Sequence, residues 1–265
     1  PSRLPSVMIH DDAKEIDDGD VSAPANASSN NVSSPPDSKR RLRAQPQPQS
    51  QPQSQSPSHQ KASSGKHVIV ADAQSFEQHE KYKNITVCNL PINVGAKGFY
   101  GHRVYAAFTH LVDTKYVLYL DQDNWFDIDH VETCVKNIEF HKLDWCYALR
   151  TICDKDGNQL VNDNCESLGK WPVFSGDYHH IDTNCYCIKT EIATKIAQVW
   201  HGGWGQDRVW FQALSQYFPK FDVTGKYTVN YRLAGNEGSV KKEFFDYGNK
   251  IMVEKYNGDF PWAKI

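Results

Sequence analysis

Strand-like and helix-like segments alternate along the chain from residue 67 onward. Short apolar runs rich in β-branched and aromatic residues predict buried strands. These runs occupy residues 67–71, 85–89, 115–120, 145–152, 180–188 and 227–231. Between them, apolar residues recur at intervals of three and four, which predicts helices around residues 104–111, 131–138, 192–200 and 210–217. Alternating strands and helices predict an α/β layer fold with a mostly parallel sheet.

The first 65 residues have a different pattern. Residues 20–65 consist mainly of Ser, Pro, Gln and Asn. Such a segment buries too little apolar surface to offset the entropy of ordering, so we expect residues 1–65 to be a low-complexity, disordered tail. Within it, the apolar run 5–10 is a candidate first strand, and the basic cluster 39–43 is either a docking patch or a solvated run of charge. The folded domain is then expected at residues 66–265.

Composition and charge narrow the possible functions. A chain of 265 residues suits one sizeable domain. The formal net charge of −3 provides no basic surface for nucleic-acid phosphates, so nucleic-acid binding is not expected. No apolar run approaches the roughly 20 residues that cross a bilayer, so we expect no transmembrane segment and a cytoplasmic location. Because the chain starts at Pro1 and not at Met, a leader ahead of it remains an open alternative.

The triplet Asp121-Gln122-Asp123 directly follows the strongest predicted strand, residues 115–120. Ligands of α/β sheets bind beyond the carboxyl ends of the strands, so the triplet places two carboxylates at the mouth of a crevice. These carboxylates repel each other unless a hard cation such as Mn²⁺ or Mg²⁺ lies between them, and such cations also bind substrate phosphates. We therefore predict Asp121 and Asp123 as metal ligands. The alternative is the solvated start of a helix.

Four short motifs follow one another in a distinctive order. They are an apolar strand that ends in Asp72, the segment Asn93-Val94-Gly95, Arg103 in a helix, and the strand that ends in Asp121-Gln122-Asp123. In this order they resemble the family 2-like glycosyltransferases of the GT-A fold, over about residues 66–235. The resemblance implies a GT-A, Rossmann-like domain with a mostly parallel sheet and flanking helices. It also implies a nucleotide-sugar donor, a divalent cation (Mn²⁺ or Mg²⁺), and inverting transfer to a glycan, lipid or protein acceptor that the sequence does not identify.

The resemblance further implies donor-side roles for individual residues. Asp72 is expected to contact the base or ribose of the nucleotide, and Asp121 to contact the donor as well as the metal. Asn93 and Gly95 are expected to shape a loop beside the nucleotide, and Arg103 to steady the diphosphate. The alternatives are a strand-end cap for Asp72, an ordinary turn for Asn93 and Gly95, and a surface helix position for Arg103.

On the acceptor side, the resemblance points to Glu166, Asp182 and Asp207. Glu166 and Asp182 are expected to contact the acceptor, or to support the residues that do. Direct displacement at the anomeric carbon needs a base for the acceptor hydroxyl, and Asp207 occupies the matching position. The alternative for Asp207 is a cap for the following helix. His179 and His180 are expected to be surface residues that flank a strand.

One departure from the family pattern concerns the start of the fold. GT-A enzymes open with a strand–turn–helix unit ahead of the Asp72 strand, and here that span is the low-complexity tract. The run 5–10 is then a displaced first strand, or the unit is missing. Two other functions stay open: a sugar nucleotidyltransferase, although its glycine-rich, Lys/Arg-containing signature is not visible, and a non-catalytic sugar- or partner-binding module.

Overall fold

The computed structural model describes residues 65–73, 85–233 and 240–264, and the backbone of residues 6–10. Apart from residues 6–10 and 65, the tail predicted to be disordered lies outside the described residues. No helix in the described part of the chain is long and apolar enough to cross a membrane.

Within these residues, nine strands form one sheet in the order β3-β2-β1-β4-β8-β6-β9-β5, with β7 paired to β6. The strands are β1 (Ser6–His10), β2 (His67–Asp72), β3 (Ile85–Leu90), β4 (Tyr116–Asp121), β5 (Trp125–Phe126), β6 (Trp145–Cys153), β7 (Gln159–Asn162), β8 (Tyr186–Lys189) and β9 (Phe221–Arg232). The short strand β1 lies between β2 and β4 and runs parallel to both. It therefore joins the two strands that end in Asp72 and Asp121.

The described ranges also contain five α-helices: α1 (His102–Phe108), α2 (His130–His141), α3 (Thr190–Ile196), α4 (Gln206–Tyr217) and α5 (Lys242–Tyr256). Short 3-10 helices occupy Thr109–Leu111, Thr183–Cys185, Ala197–Trp200 and Pro261–Ala263. Helices α1 and α4 both begin after a glycine in the left-handed region, Gly101 at φ 73° and Gly205 at φ 79°. Only glycine adopts this conformation at little cost, which explains why both helices start where they do.

The sheet is mixed, so the prediction of a mostly parallel sheet is wrong. The pairs β1–β2, β2–β3, β1–β4 and β6–β9 are parallel. The pairs β4–β8, β6–β8, β6–β7 and β5–β9 are antiparallel. The connection from β4 through α2 to β6 makes those two strands parallel, but β8 inserts between them and runs against both. A local hydrophobic pattern predicts a strand and does not determine its direction.

Several elements differ from the sequence prediction, which gives no strand at β5 or β7 and a shorter β9. The strand predicted at 180–188 is shortened to Tyr186–Lys189, because the Asp182 side chain accepts a hydrogen bond from the Asn184 N–H and caps a 3-10 turn instead. Helix α5 was not predicted. It packs closely on the loop around Cys165, since a Cβ at Gly248 would lie 2.7 Å from the Cys165 Sγ and from Phe174.

An aromatic cluster fixes the elements around the end of β4. It consists of Tyr105 of α1, Tyr119 of β4, Trp200 of a 3-10 helix and Trp210 of α4, with ring centroids 4.4–6.3 Å apart. Aromatic contacts of this kind stabilise by about 0.5–1.5 kcal/mol each beyond their burial. The cluster therefore holds the first turns of α1 and α4 at a fixed distance from the end of β4.

Candidate active site

A cavity of about 510 Å³ lies beyond the carboxyl end of β4. Its walls come from the end of β4, the centre of β6, the loop that precedes β8, the start of α4, and α5. Five carboxylates predicted from the sequence line it together: Asp121, Asp123, Glu166, Asp182 and Asp207. These residues are up to 86 positions apart in the sequence (207 − 121), and the sheet topology brings them into one site.

Asp121, the last residue of β4, is held in place by two side chains. Its Oδ1 accepts a hydrogen bond from the Tyr105 hydroxyl, and its Oδ2 accepts one from the Asn184 Nδ2 at 2.9 Å. The Asp121 N–H in turn donates to the Asn184 Oδ1 at 2.6 Å. Burial raises the pKa of Asp121 to about 7, and the negative charges of Asp182 and Asp123 add to this rise. A cation next to Asp121 would therefore favour the ionised form of this carboxylate.

A buried ion-pair network forms the floor of the cavity. The Arg150 guanidinium lies in the middle of β6 and donates from Nε to Asp163 at 2.7 Å and from Nη1 to Asp182. Asp163 also accepts the backbone N–H groups of residues 165, 166 and 167 at 2.8–3.0 Å. Burial alone would raise the pKa of Asp163, but Arg150 and these N–H donors outweigh it and lower the pKa. Asp163 thereby shapes the loop that carries Glu166.

Asp207 lies in the first turn of α4 and faces His180. Its Oδ1 accepts the Arg208 N–H at 2.8 Å, and its Oδ2 lies 3.5 Å from the His180 Nδ1. Gly205, and not Asp207, is the N-cap residue, and no side chain caps the helix. The Asp207 side chain is 28% exposed, so a substrate hydroxyl can reach it from the cavity.

Glu166 lies on the same wall as Asp207. Its Oε1 accepts a hydrogen bond from the Tyr178 hydroxyl at 3.3 Å, and its Oε2 is buried without a partner. Burial raises the pKa of Glu166, although the positive charges of His180 and Arg150 oppose this rise. The Glu166 carboxyl group therefore keeps its proton to a higher pH than an ordinary glutamate does.

The predicted donor residues Asp72, Asn93, Gly95 and Arg103 do not line the cavity. Both carboxylate oxygens of Asp72 accept backbone N–H groups of the next loop, from Val94 at 2.7 Å and Gly95 at 2.6 Å. The Asn93 Oδ1 accepts the N–H of residue 96 at 2.6 Å, as in an ordinary turn. The Arg103 guanidinium stacks 3.3 Å from the Phe99 ring centroid. In the structure, Asp72 thus organises the loop in which Asn93 and Gly95 lie.

Comparison with known proteins gives one sequence relative and several similar folds. No protein-family model matches the chain. An uncharacterized protein from Haemophilus influenzae is 31% identical over 103 residues, which cover 32% of this chain and 69% of that protein. This chain belongs to the same family as the Haemophilus protein. The shared family does not by itself indicate an activity.

Among solved structures, Staphylococcus aureus TarS 1–349 is similar at 17% identity. Its complex with UDP has a TM-score of 0.46, with 75% of this chain and 58% of that chain covered. Its complex with UDP-GlcNAc has a TM-score of 0.47, with 75% of this chain and 60% of that chain covered. This chain therefore spans less than two thirds of the TarS structures. With TM-scores below 0.5, these likenesses do not decide the fold or the activity of this chain.

Several cavity residues were not predicted from the sequence. His180 was expected at the surface, but its side chain is only 8% exposed and lines the cavity. Arg150 could have been found, because a single arginine inside the apolar strand β6 needs a buried partner. Asn184 and Tyr105 had no sequence signal, since their role comes from contacts with Asp121 that only the fold creates.

The donor atoms around Asp121 and Asp123 fit a divalent cation with few protein ligands. Among the described residues, no group of three or more His, Cys, Asp or Glu side chains is arranged to hold a metal ion. Mg²⁺ is commonly held by one or two carboxylates, with substrate phosphates and water supplying the other ligands. Asp121 and Asp123 both line the cavity, and the charge of a cation would offset the repulsion among Asp121, Asp123 and Asp182.

Proposed function

We propose that the chain is a GT-A-type glycosyltransferase domain that transfers a sugar from a nucleotide-diphosphate sugar to an acceptor, with inversion. The observation that supports this most is the convergence of Asp121, Asp123 and Asp207 on one cavity at the end of β4. A metal-binding pair and a base in one cavity are what a direct displacement requires. The cavity volume of about 510 Å³ falls in the range of small-molecule sites.

The charge of the cavity supports the dependence on a cation. Five carboxylates and two arginines line it, and one of these arginines, Arg150, is already paired with Asp163 and Asp182. A diphosphate would be repelled by this excess of negative charge unless a cation came with it. In the proposal, Asp121 and Asp123 hold Mn²⁺ or Mg²⁺. The ion would supply Lewis-acid stabilisation of the departing nucleoside diphosphate.

Asp207 is the proposed general base. Its Oδ2 faces the cavity side of His180, while its Oδ1 is fixed by the Arg208 N–H. One oxygen is therefore positioned by the backbone and the other is available to accept the proton of an acceptor hydroxyl. A carboxylate in this position contributes typically 10²- to 10⁴-fold to such a reaction. Asp182 is less suited to this role, because Arg150 and Asn184 occupy both of its oxygens.

A panel of nucleotide sugars tests the proposal directly. We expect at least one of them to be hydrolysed or transferred in Mn²⁺ or Mg²⁺, and the rate to fall to background in EDTA. Release of pyrophosphate from a nucleoside triphosphate and a sugar phosphate would instead indicate a nucleotidyltransferase. If no nucleotide sugar is bound or turned over with any of the metals, the proposed function is wrong.

A non-catalytic binding module is the second candidate. It is favoured by one observation: both oxygens of Asp121 already accept hydrogen bonds, from Tyr105 and from Asn184. These two hydrogen bonds fix the carboxylate in place and compete with a metal ion for the same oxygens. Calorimetry separates the two candidates, since a binding module would bind a nucleotide sugar without any turnover.

A further inference from the structure

Arg208 is the arginine of the cavity wall that forms no ion pair among the described residues, although its charge acts on Glu166. Of the ion pairs in the described part of the chain, none includes Arg208. Arg150, the other arginine of the cavity, has two carboxylate partners. An arginine stays charged at every physiological pH, so Arg208 brings a permanent positive charge to the site.

Two aromatic rings contact the Arg208 guanidinium. Its Cζ lies 4.3 Å from the Tyr178 ring centroid and 5.0 Å from the Trp204 ring centroid. Cation–π contacts of this kind restrain the group without using its N–H donors. The N–H groups are therefore the part of Arg208 to which a ligand can bind.

The edge of the guanidinium is poorly satisfied by the protein. Its Nη2 makes a long hydrogen bond of 3.4 Å to the Tyr178 hydroxyl, and its Nε is buried without a partner. The adjacent carboxylate of Asp207 does not compensate it, since that side chain accepts the Arg208 backbone N–H and faces His180. A buried donor without an acceptor is costly, which favours a ligand that supplies oxygen atoms.

We propose that Arg208 binds an oxyanion, a phosphate or carboxylate group, of a substrate in this cavity. The group is either the diphosphate of the donor or an anionic group on the acceptor. Both offer two oxygens to the fork of an arginine. This inference deepens the proposed function and rests on it for the identity of the substrates. The binding of a simple anion at Arg208 can nevertheless be measured without turnover.

Calorimetric titration with inorganic pyrophosphate and with inorganic phosphate tests the proposal. With Mg²⁺ at a constant concentration and at fixed ionic strength, pyrophosphate affinity is expected to fall about 10- to 100-fold in Arg208→Gln if the donor supplies the group. If the acceptor supplies it, the affinity for pyrophosphate stays unchanged. The protein is then saturated with whichever of UDP, GDP and CDP binds most tightly, and its affinity for inorganic phosphate is expected to fall by the same factor in Arg208→Gln. Lys136→Gln removes one positive charge from the exposed face of α2 and is expected to change neither affinity.

The proposal is overturned if Arg208→Gln binds both anions as the wild type does, or if the wild type binds neither. Should Arg208→Gln fail to fold, phenylglyoxal modification of the wild type followed by mass spectrometry decides instead. Pyrophosphate or phosphate must then slow modification of Arg208 relative to the other arginines of the sample. A protein that binds pyrophosphate through Arg208 and turns over no nucleotide sugar would refute the proposed function and leave the oxyanion site in place.

Discussion

Replacing Asp207 by Asn removes the proposed base while keeping almost all of its contacts. The side-chain oxygen of the new amide would still accept the Arg208 N–H, which now lies 2.8 Å from Oδ1, and the amide nitrogen would take the place of Oδ2 opposite His180. Gly205 is the N-cap, so the substitution does not remove a cap. We therefore expect the free energy of unfolding to change by no more than about 0.5 kcal/mol.

Turnover is expected to respond very differently. A carboxamide cannot accept the proton of the attacking hydroxyl, and the loss of a general base typically costs 10²- to 10⁴-fold. This corresponds to about 2.7–5.5 kcal/mol added to the activation barrier. Donor affinity is expected to stay within a few-fold, since the proposal gives Asp207 no contact with the metal or the donor diphosphate.

The assay combines single-turnover kinetics, donor calorimetry and thermal unfolding. The donor is whichever nucleotide sugar the panel identifies, and the rate is the release of nucleoside diphosphate. Asp177→Asn is the matched control, because Asp177 is exposed and does not line the cavity. The assignment is refuted if Asp207→Asn turns over at nearly the normal rate while Asp182→Asn or Glu166→Gln does not. The base would then be Asp182 or Glu166.

Three further predictions concern the metal, the pH dependence and the frame of the site. Mn²⁺ or Mg²⁺ should tighten nucleoside-diphosphate binding relative to EDTA in calorimetry, and Asp123→Ala should abolish this effect while exposed Asp129→Ala keeps it. Burial raises the pKa of Glu166 in the folded state, so the folded protein binds more protons than the unfolded chain above about pH 4.5. This residue therefore makes the free energy of unfolding fall as pH rises. Glu166→Gln, unlike exposed Glu191→Gln, should therefore gain thermal stability over the wild type as the pH increases; an equal difference at all pH values would contradict this. Asn184→Ala removes the two hydrogen bonds between Asn184 and Asp121, so we expect a loss of about 1–3 kcal/mol in denaturant unfolding and weaker nucleotide binding, and unchanged stability would exclude this role.

The strands that carry the site could be predicted from the local sequence pattern, but the strands that pair with them in the sheet could not. The apolar run of β4 and the aspartates after it are contiguous in sequence, so their juxtaposition needs no knowledge of the fold. The direction of β8 has no such signal, because it depends on a strand inserting between β4 and β6. The sequence pattern places the start of β8 too early for a related reason. The Asp182 side chain accepts a hydrogen bond from the Asn184 N–H, which a strand would have used for pairing.

The same distinction applies to the side chains of the cavity. Asp121 could be predicted at the mouth of a crevice because it follows an apolar strand, whereas Asp207 was predicted only from the resemblance to glycosyltransferases. The sequence pattern predicts His180 at the surface, because its burial beside Asp207 of α4 depends on the fold and not on its neighbours in sequence. Arg150 was overlooked although its setting was informative, since an arginine in an otherwise apolar strand is rarely buried without a carboxylate.

The polar side chains of the site differ in how completely they are paired. A continuous chain of hydrogen bonds runs from Arg150 through Asp182 and Asn184 to Asp121 and Tyr105, and it ties β6, β4 and α1 into one frame. By contrast, the Glu166 Oε2, the His180 Nδ1 and the Arg208 Nε are buried and lack hydrogen-bond partners. Each such atom costs roughly 1–3 kcal/mol, so a ligand that supplies the missing partners would recover part of that cost. Under the proposed function, the paired side chains would form a preformed part of the site, and a bound substrate would complete the unpaired part.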